Sequence, residues 1–170
     1  MKLLSSRTRY KNSIFSVNEE EALEPGGLRI KRAIVRHGPS AVMMPVDDQG
    51  RVLLVRQFRL AAGASLWELS AGRVDAGETV LAAARRELAE ETGYRARKWR
   101  KLVTYSPSPG YVAETMTIYL ATGLTAGQPT PMEDERIQCR WFTPEQIDRM
   151  IRSRRIIDGK TLIGYLLWRK

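Results

Sequence analysis

The chain has 170 residues, 43% hydrophobic and 28% charged, enough to bury the core of one globular domain and too apolar for disorder. No stretch reaches the roughly 18 apolar residues of a membrane span, and MKLLSSRTRY lacks a signal peptide's apolar core; with Cys139 as the lone cysteine, a cytoplasmic protein without membrane partner is expected. The net charge of +9 admits nucleic acid as a partner, but only Arg149, Arg152, Arg154 and Arg155 cluster and no aromatics interleave with them, so a basic surface attracting small anionic substrates is favoured.

Residues 8–17 and 27–37 alternate apolar and polar positions and predict strands, with EEEALEPGG as the turn between them. SAVMMPV and RVLLVRQF flank DDQG, which predicts a hairpin. After WELSAG, Thr79 is the expected N-cap of a helix whose apolar stripe is Leu81, Ala84 and Leu88 and which ends at Gly93. Strands are expected at Lys98–Tyr105 and Glu114–Ala121, separated by the loop SPSPGYV. An acidic loop, Gln128–Glu135, precedes a strand at Ile137–Phe142 and a helix at Pro144–Arg152 opened by its proline. A closing helix over Asp158–Trp168 is capped by Asp158. Strands with interspersed helices indicate an α/β or α+β layering. Trp67 and Cys139 read as packing residues, and His37 as a structural or solvent-facing one.

The stretch from Gly72 to Tyr94 holds the chemistry. It places Glu87, Glu90 and Glu91 on one helical turn, and like charges so spaced cost a few tenths of a kcal/mol per pair. Arg86 can pair with Glu90 four residues on, but Glu87 and Glu91 find only Ala83 and Arg95 at that spacing. A hard divalent cation would satisfy such carboxylates, and Gly72 and Gly77 permit a backbone path that brings carbonyls near it.

The segment matches G-x5-E-x7-R-E-U-x-E-E-x-G-U, with U bulky and apolar, at Gly72, Glu78, Arg86, Glu87, Leu88, Glu90, Glu91, Gly93 and Tyr94. It resembles the signature of the Nudix hydrolases. The resemblance implies an α/β fold, an α/β/α sandwich around a mixed sheet, here with an extra N-terminal strand region over residues 1–40 and the hydrolase domain over 41–170. It also implies metal-dependent hydrolysis of a pyrophosphate bond, with Mg²⁺ as cofactor and Mn²⁺ as a substitute. Glu87, Glu91 and the carbonyl of Ala71 would hold metal, with Glu90 close by, and Arg86 and Glu78 would orient the glutamates.

Outside that box the chain looks like the ADP-ribose pyrophosphatase branch. VRQFR, ending at Arg59, and WELSAG, containing Glu68, resemble that branch's strand and its E-L-P-A-G, with Ser70 in place of proline. Ser108, Pro109 and Gly110 fall where the branch has its loop, and Glu114 where it has a glutamate. Arg36 resembles a nucleoside contact, often made across a homodimer that the N-terminal strands build. The acidic loop would supply the base, Glu133 ranking first and Glu135 as an added metal ligand, with the reverse assignment open. The implied substrate is ADP-ribose or a related nucleotide sugar. GDP-mannose or another sugar nucleotide is the nearest rival, followed by an RNA-processing or nucleic-acid-binding module and a non-catalytic sensor.

Overall fold

The computed structural model describes residues 1–130 and 136–170. Two compact units divide the chain: Met1–Pro39 with Tyr105–Met116, and Ser40–Thr104 with Thr117–Lys170.

The first unit is a sheet in the order β1 (Lys2–Lys11), β2 (Phe15–Leu23), β3 (Arg29–His37) and β9 (Val112–Ala113), antiparallel except for the parallel pairing of β3 with β9. Here the structure corrects the sequence reading, because the triplet Glu19–Glu21, expected in a turn, lies inside β2. Cross-strand charge explains it. Glu19 meets Arg9 at 2.9 Å and Lys31 at 3.0 Å, Glu21 meets Arg29 at 2.6 Å, and Glu20 takes a forked pair from Arg36. Opposite charges facing one another across a ladder favour the strand over its poor intrinsic propensity. The Arg36 guanidinium holds the Glu20 carboxyl below its ordinary range, and Glu20 raises Arg36 in return.

The second unit holds two sheets and three helices. One sheet runs β7 (Ser70–Arg73), β4 (Ser40–Pro45), β10 (Met116–Ala126), β8 (Tyr94–Tyr105), and the other β11 (Gln138–Phe142), β5 (Val52–Arg59), β6 (Ala64–Glu68). Thus DDQG does not close a hairpin ladder: β4 and β5 belong to different sheets and share only the bridge Val46–Val52. The turn chemistry itself is as expected, Asp47 accepting from the backbone N–H groups of Gln49 and Arg51. Every residue of β4 is buried, so its side chains pack on both faces.

Alternation along β4 and β10 sends Ala41, Met43 and Ala121 to one face. There they form a core with Ala83, Ala84 and Leu88 of α1 (Val80–Thr92). Ile118 faces the other way, against α3 (Gly159–Arg169), where a Cβ on Gly164 would come within 2.9 Å of Leu69 and 3.3 Å of Ile118. Helix, sheet and helix thus form the expected α/β/α layers. α1 is capped by Thr79, α2 (Pro144–Arg152) by a capping box of Thr143 and Gln146, and α3 by Asp158. Trp67, half-buried in β6, packs edge-on against Phe142 with ring centroids 4.9 Å apart. Among the described residues no helix is long and apolar enough to cross a membrane.

Two stability outcomes follow from these contacts. The Ser70 hydroxyl is buried without a hydrogen-bond partner among the described residues, so Ser70→Ala should stabilise by about 1 kcal/mol in urea unfolding; a loss of stability would show that the hydroxyl is satisfied. A depressed folded-state pKa contributes stability above the unfolded carboxylate value of about 4.3 and loses it as pH falls through the folded value. Glu20→Gln should therefore lower Tm at pH 7, with the gap to the parent protein narrowing as pH falls below the ordinary carboxylate range.

Candidate active site

Helix α1 and strand β7 meet unusually closely at residue 72. An ideal Cβ there would lie 1.9 Å from the carboxyl carbon of Glu87 and 2.2 Å from one of its oxygens, so only glycine admits this carboxylate against the β7 backbone, one residue from Ala71. The first glycine of the box is thereby explained by contact.

Arg86 gathers the carboxylates around that point. Its Nη1 donates to Glu87 at 2.7 Å and to Glu90 at 3.1 Å, while Nε and Nη2 donate to Glu78 at 3.2 and 2.9 Å. Nη2 also reaches the carbonyl of Arg73 at 3.1 Å. The expectation that Glu87 lacks a cation is thus corrected: adjacent helix positions do not face each other, but the long guanidinium folds back over its neighbour. Glu78 holds Arg86 well above the ordinary arginine range, Glu87 and Glu90 adding to it, and Arg86 in turn lowers Glu78. Glu91 projects from the same helix as Ala84 and Leu88 and is only 7% exposed, a depth at which a carboxylate needs compensation.

The groups gathered by Arg86 are carboxylate and peptide oxygens, which suit a hard cation. Among the described residues, no three Asp, Glu, His or Cys side chains form a ready cage. Glu133 and Glu135 lie outside the described residues.

The remaining predicted residues divide between the two units. In the second, Arg59 at the end of β5 donates through Nε to Glu68 of β6 at 2.7 Å, so this pair is brought together. In the first, Arg36, Pro109 and Glu114 line a cavity of about 730 Å³ floored by Ala22, Ile30 and Ile34. His37 Nδ1 lies 3.4 Å from Glu114 there and 2.7 Å from the Gly38 carbonyl. Ser108 accepts the backbone N–H of Val112 at 2.9 Å through its carbonyl, which shapes the loop containing Pro109 and Gly110. Two residues escaped the sequence reading: Glu20, which engages Arg36, and Lys160, which joins Glu68 to the helix cap Asp158. The signal for Lys160 was present, as a lone cation between a helix cap and the apolar run TLIGYLLW.

Residues 36–161 match the NUDIX domain family. An ADP-ribose pyrophosphatase of Mycobacterium tuberculosis (strain ATCC 25618 / H37Rv) is 34% identical over 166 residues, covering 96% of this chain and 80% of that one. An ADP-ribose pyrophosphatase of Bacillus subtilis (strain 168) is also 34% identical, over 168 residues, covering 95% and 91%. A crystal structure described as an ADP compounds hydrolase superposes with a TM-score of 0.86 at 22% identity, covering 99% of this chain and 93% of that one, a likeness of fold. With the family match spanning most of the sequence and the box glutamates folded around Arg86, the chain belongs to the Nudix family.

Proposed function

We propose that the protein hydrolyses the pyrophosphate bond of ADP-ribose, or of a related nucleoside diphosphate sugar, to a nucleoside monophosphate and a sugar phosphate, with Mg²⁺ as cofactor. The observation that carries the reading is the seating of the Glu87 carboxylate on the Gly72 backbone within the cluster gathered by Arg86. The choice of ADP-ribose is supported by the two relatives bearing that activity in their names.

Nudix hydrolases generally use divalent metal ions. Glu87, Glu91 and the Ala71 carbonyl would hold them, Glu135 adding a ligand. When bound, Mg²⁺ or its substitute Mn²⁺ supplies charge neutralisation at the non-bridging phosphate oxygens and acidifies an attacking water. Arg86 fixes the rotamers of Glu78, Glu87 and Glu90, so the oxygens stand ready before substrate arrives. Glu133 takes the proton of the attacking water, or Glu135 does so with the roles exchanged. Arg59, with its guanidinium oriented by Glu68, contacts the diphosphate. Arg36, the Ser108–Gly110 loop and Glu114 contact the nucleoside and sugar, supported by the cavity that Arg36, Pro109 and Glu114 line.

A homodimer in the cytoplasm completes the reading. All ten residues of β1 are exposed, with Leu3 and Tyr10 at 50% and 54%, and a second copy could cover them. Light scattering on the intact chain should give twice the monomer mass; a monomer at assay concentration would remove this part of the reading.

Activity is tested by phosphatase-coupled phosphate release from a panel of ADP-, GDP-, UDP- and CDP-sugars. Turnover should be greatest with ADP-ribose and abolished by chelation, whereas a preference for GDP-mannose would transfer the assignment to that rival. Glu91→Gln, folded as the parent by circular dichroism, should lose at least about 100-fold in kcat; near-full turnover would sink the metal site.

A further inference from the structure

Behind Glu68 lies a buried chain of charges that the functional reading does not use. Glu68 is 1% exposed and Lys160 8%, and ions so placed must be paired and hydrogen-bonded. Both Glu68 oxygens are engaged, Oε2 by the Lys160 ammonium and Oε1 by Arg59 Nε at 2.7 Å. Lys160 also donates to Asp158 at 3.0 Å. The other Asp158 oxygen accepts from the Thr161 N–H at 3.0 Å and from the Thr161 hydroxyl at 2.5 Å. That hydroxyl accepts the backbone N–H of Leu69 at 2.8 Å, which returns the chain of bonds to the residue after Glu68.

Helix docking alone would explain Thr161 and Asp158, an N-cap tied to a neighbouring strand. It does not explain why a lysine is buried in the first turn of α3 at the cost of desolvating a second cation beside a carboxylate that already has Arg59. The difference lies in which atoms are held. Lys160 fixes the Glu68 carboxylate from one side, so the other oxygen can grip Arg59 by Nε alone. Among the described residues the terminal Nη1 and Nη2 of Arg59 have no hydrogen bond, and its side chain is 40% exposed while that of Glu68 is 2%. A guanidinium held at Nε keeps its two-pronged edge for an anion.

We propose that Lys160 is a positioning residue for the diphosphate: through Glu68 it fixes the guanidinium plane of Arg59, so that substrate binding does not have to order a long side chain. The proposal rests on the reading of Arg59 as a phosphate contact. Its physical content is preorganisation, a cost of ordering removed before the ligand arrives.

The test is a double-mutant cycle on the full chain with Arg59→Ala, Lys160→Met and the pair. Each single change should raise KM for ADP-ribose about tenfold with a much smaller effect on kcat, as loss of one charge-assisted contact predicts. The double variant should be no worse than Arg59→Ala, because Lys160 acts only through Arg59, and Lys160→Arg should recover most of the loss. Additive losses, or a lowered Tm with KM unchanged, would overturn the proposal. Should Lys160→Met not fold, Asp158→Asn keeps a capping side chain while weakening the grip on Lys160, and the same cycle applies. If the parent protein hydrolyses no nucleotide sugar, the functional reading fails separately. The Lys160 inference is then read from calorimetric binding of inorganic pyrophosphate, where the same non-additive, roughly tenfold losses are expected and additivity again overturns it.

Discussion

The rest of the site depends on one steric constraint, the absence of a side chain at residue 72. Because Gly72 leaves that space open, Glu87 of α1 can rest its carboxyl on the backbone of β7. Arg86, the residue before it on α1, reaches Glu78, Glu87, Glu90 and the Arg73 carbonyl together. Any larger residue at position 72 would displace the Glu87 carboxylate and disperse the oxygens. The buried faces of Ala83, Ala84 and Leu88 against Ala41, Met43 and Ala121 hold the helix at that distance from the other side. Small residues on both partners are what make the approach possible.

What the sequence disclosed follows the range of each interaction. Thr79 and Asp158 cap their helices within three residues and Pro144 opens its own, so those helix starts were readable directly. Cross-strand chemistry was not. The triplet Glu19–Glu21 reads as a turn until Arg9, Arg29, Lys31 and Arg36 are known to flank it on both sides. DDQG forms a turn, but nothing local tells whether the strands it joins pair with one another or part into two sheets. The box glutamates were legible because the helix brings them together within one turn. The Glu68–Lys160 pair spans 92 residues, so the chain could mark Lys160 as out of place but not name its partner.

The excess of positive charge also takes on a different meaning in three dimensions. A net charge of +9 invites comparison with nucleic-acid binders. In the first unit, however, Arg9, Arg29, Lys31 and Arg36 face the glutamates of β2. Cations already paired offer less to a phosphate backbone, whose binding draws on counterion release by unpaired ones. Arg59 is paired through one nitrogen only, which leaves it suited to a single small anion.

Two arginines therefore stand at the centre of two carboxylate clusters and do opposite work. Arg86 is surrounded: each of its three nitrogens donates to a carboxylate, and its charge is held inside the box. Arg59 is gripped at one edge, by a carboxylate that a buried lysine already steadies. Saturating a guanidinium makes it a scaffold, since no donor remains for a ligand. Holding it by Nε alone makes it a receptor with a fixed orientation. The number of acidic partners around each arginine thus separates the group that orients the box carboxylates from the group proposed to meet phosphate. It also explains why a cation as costly to bury as Lys160 is tolerated beneath the second cluster, where Glu68 and Asp158 both engage it.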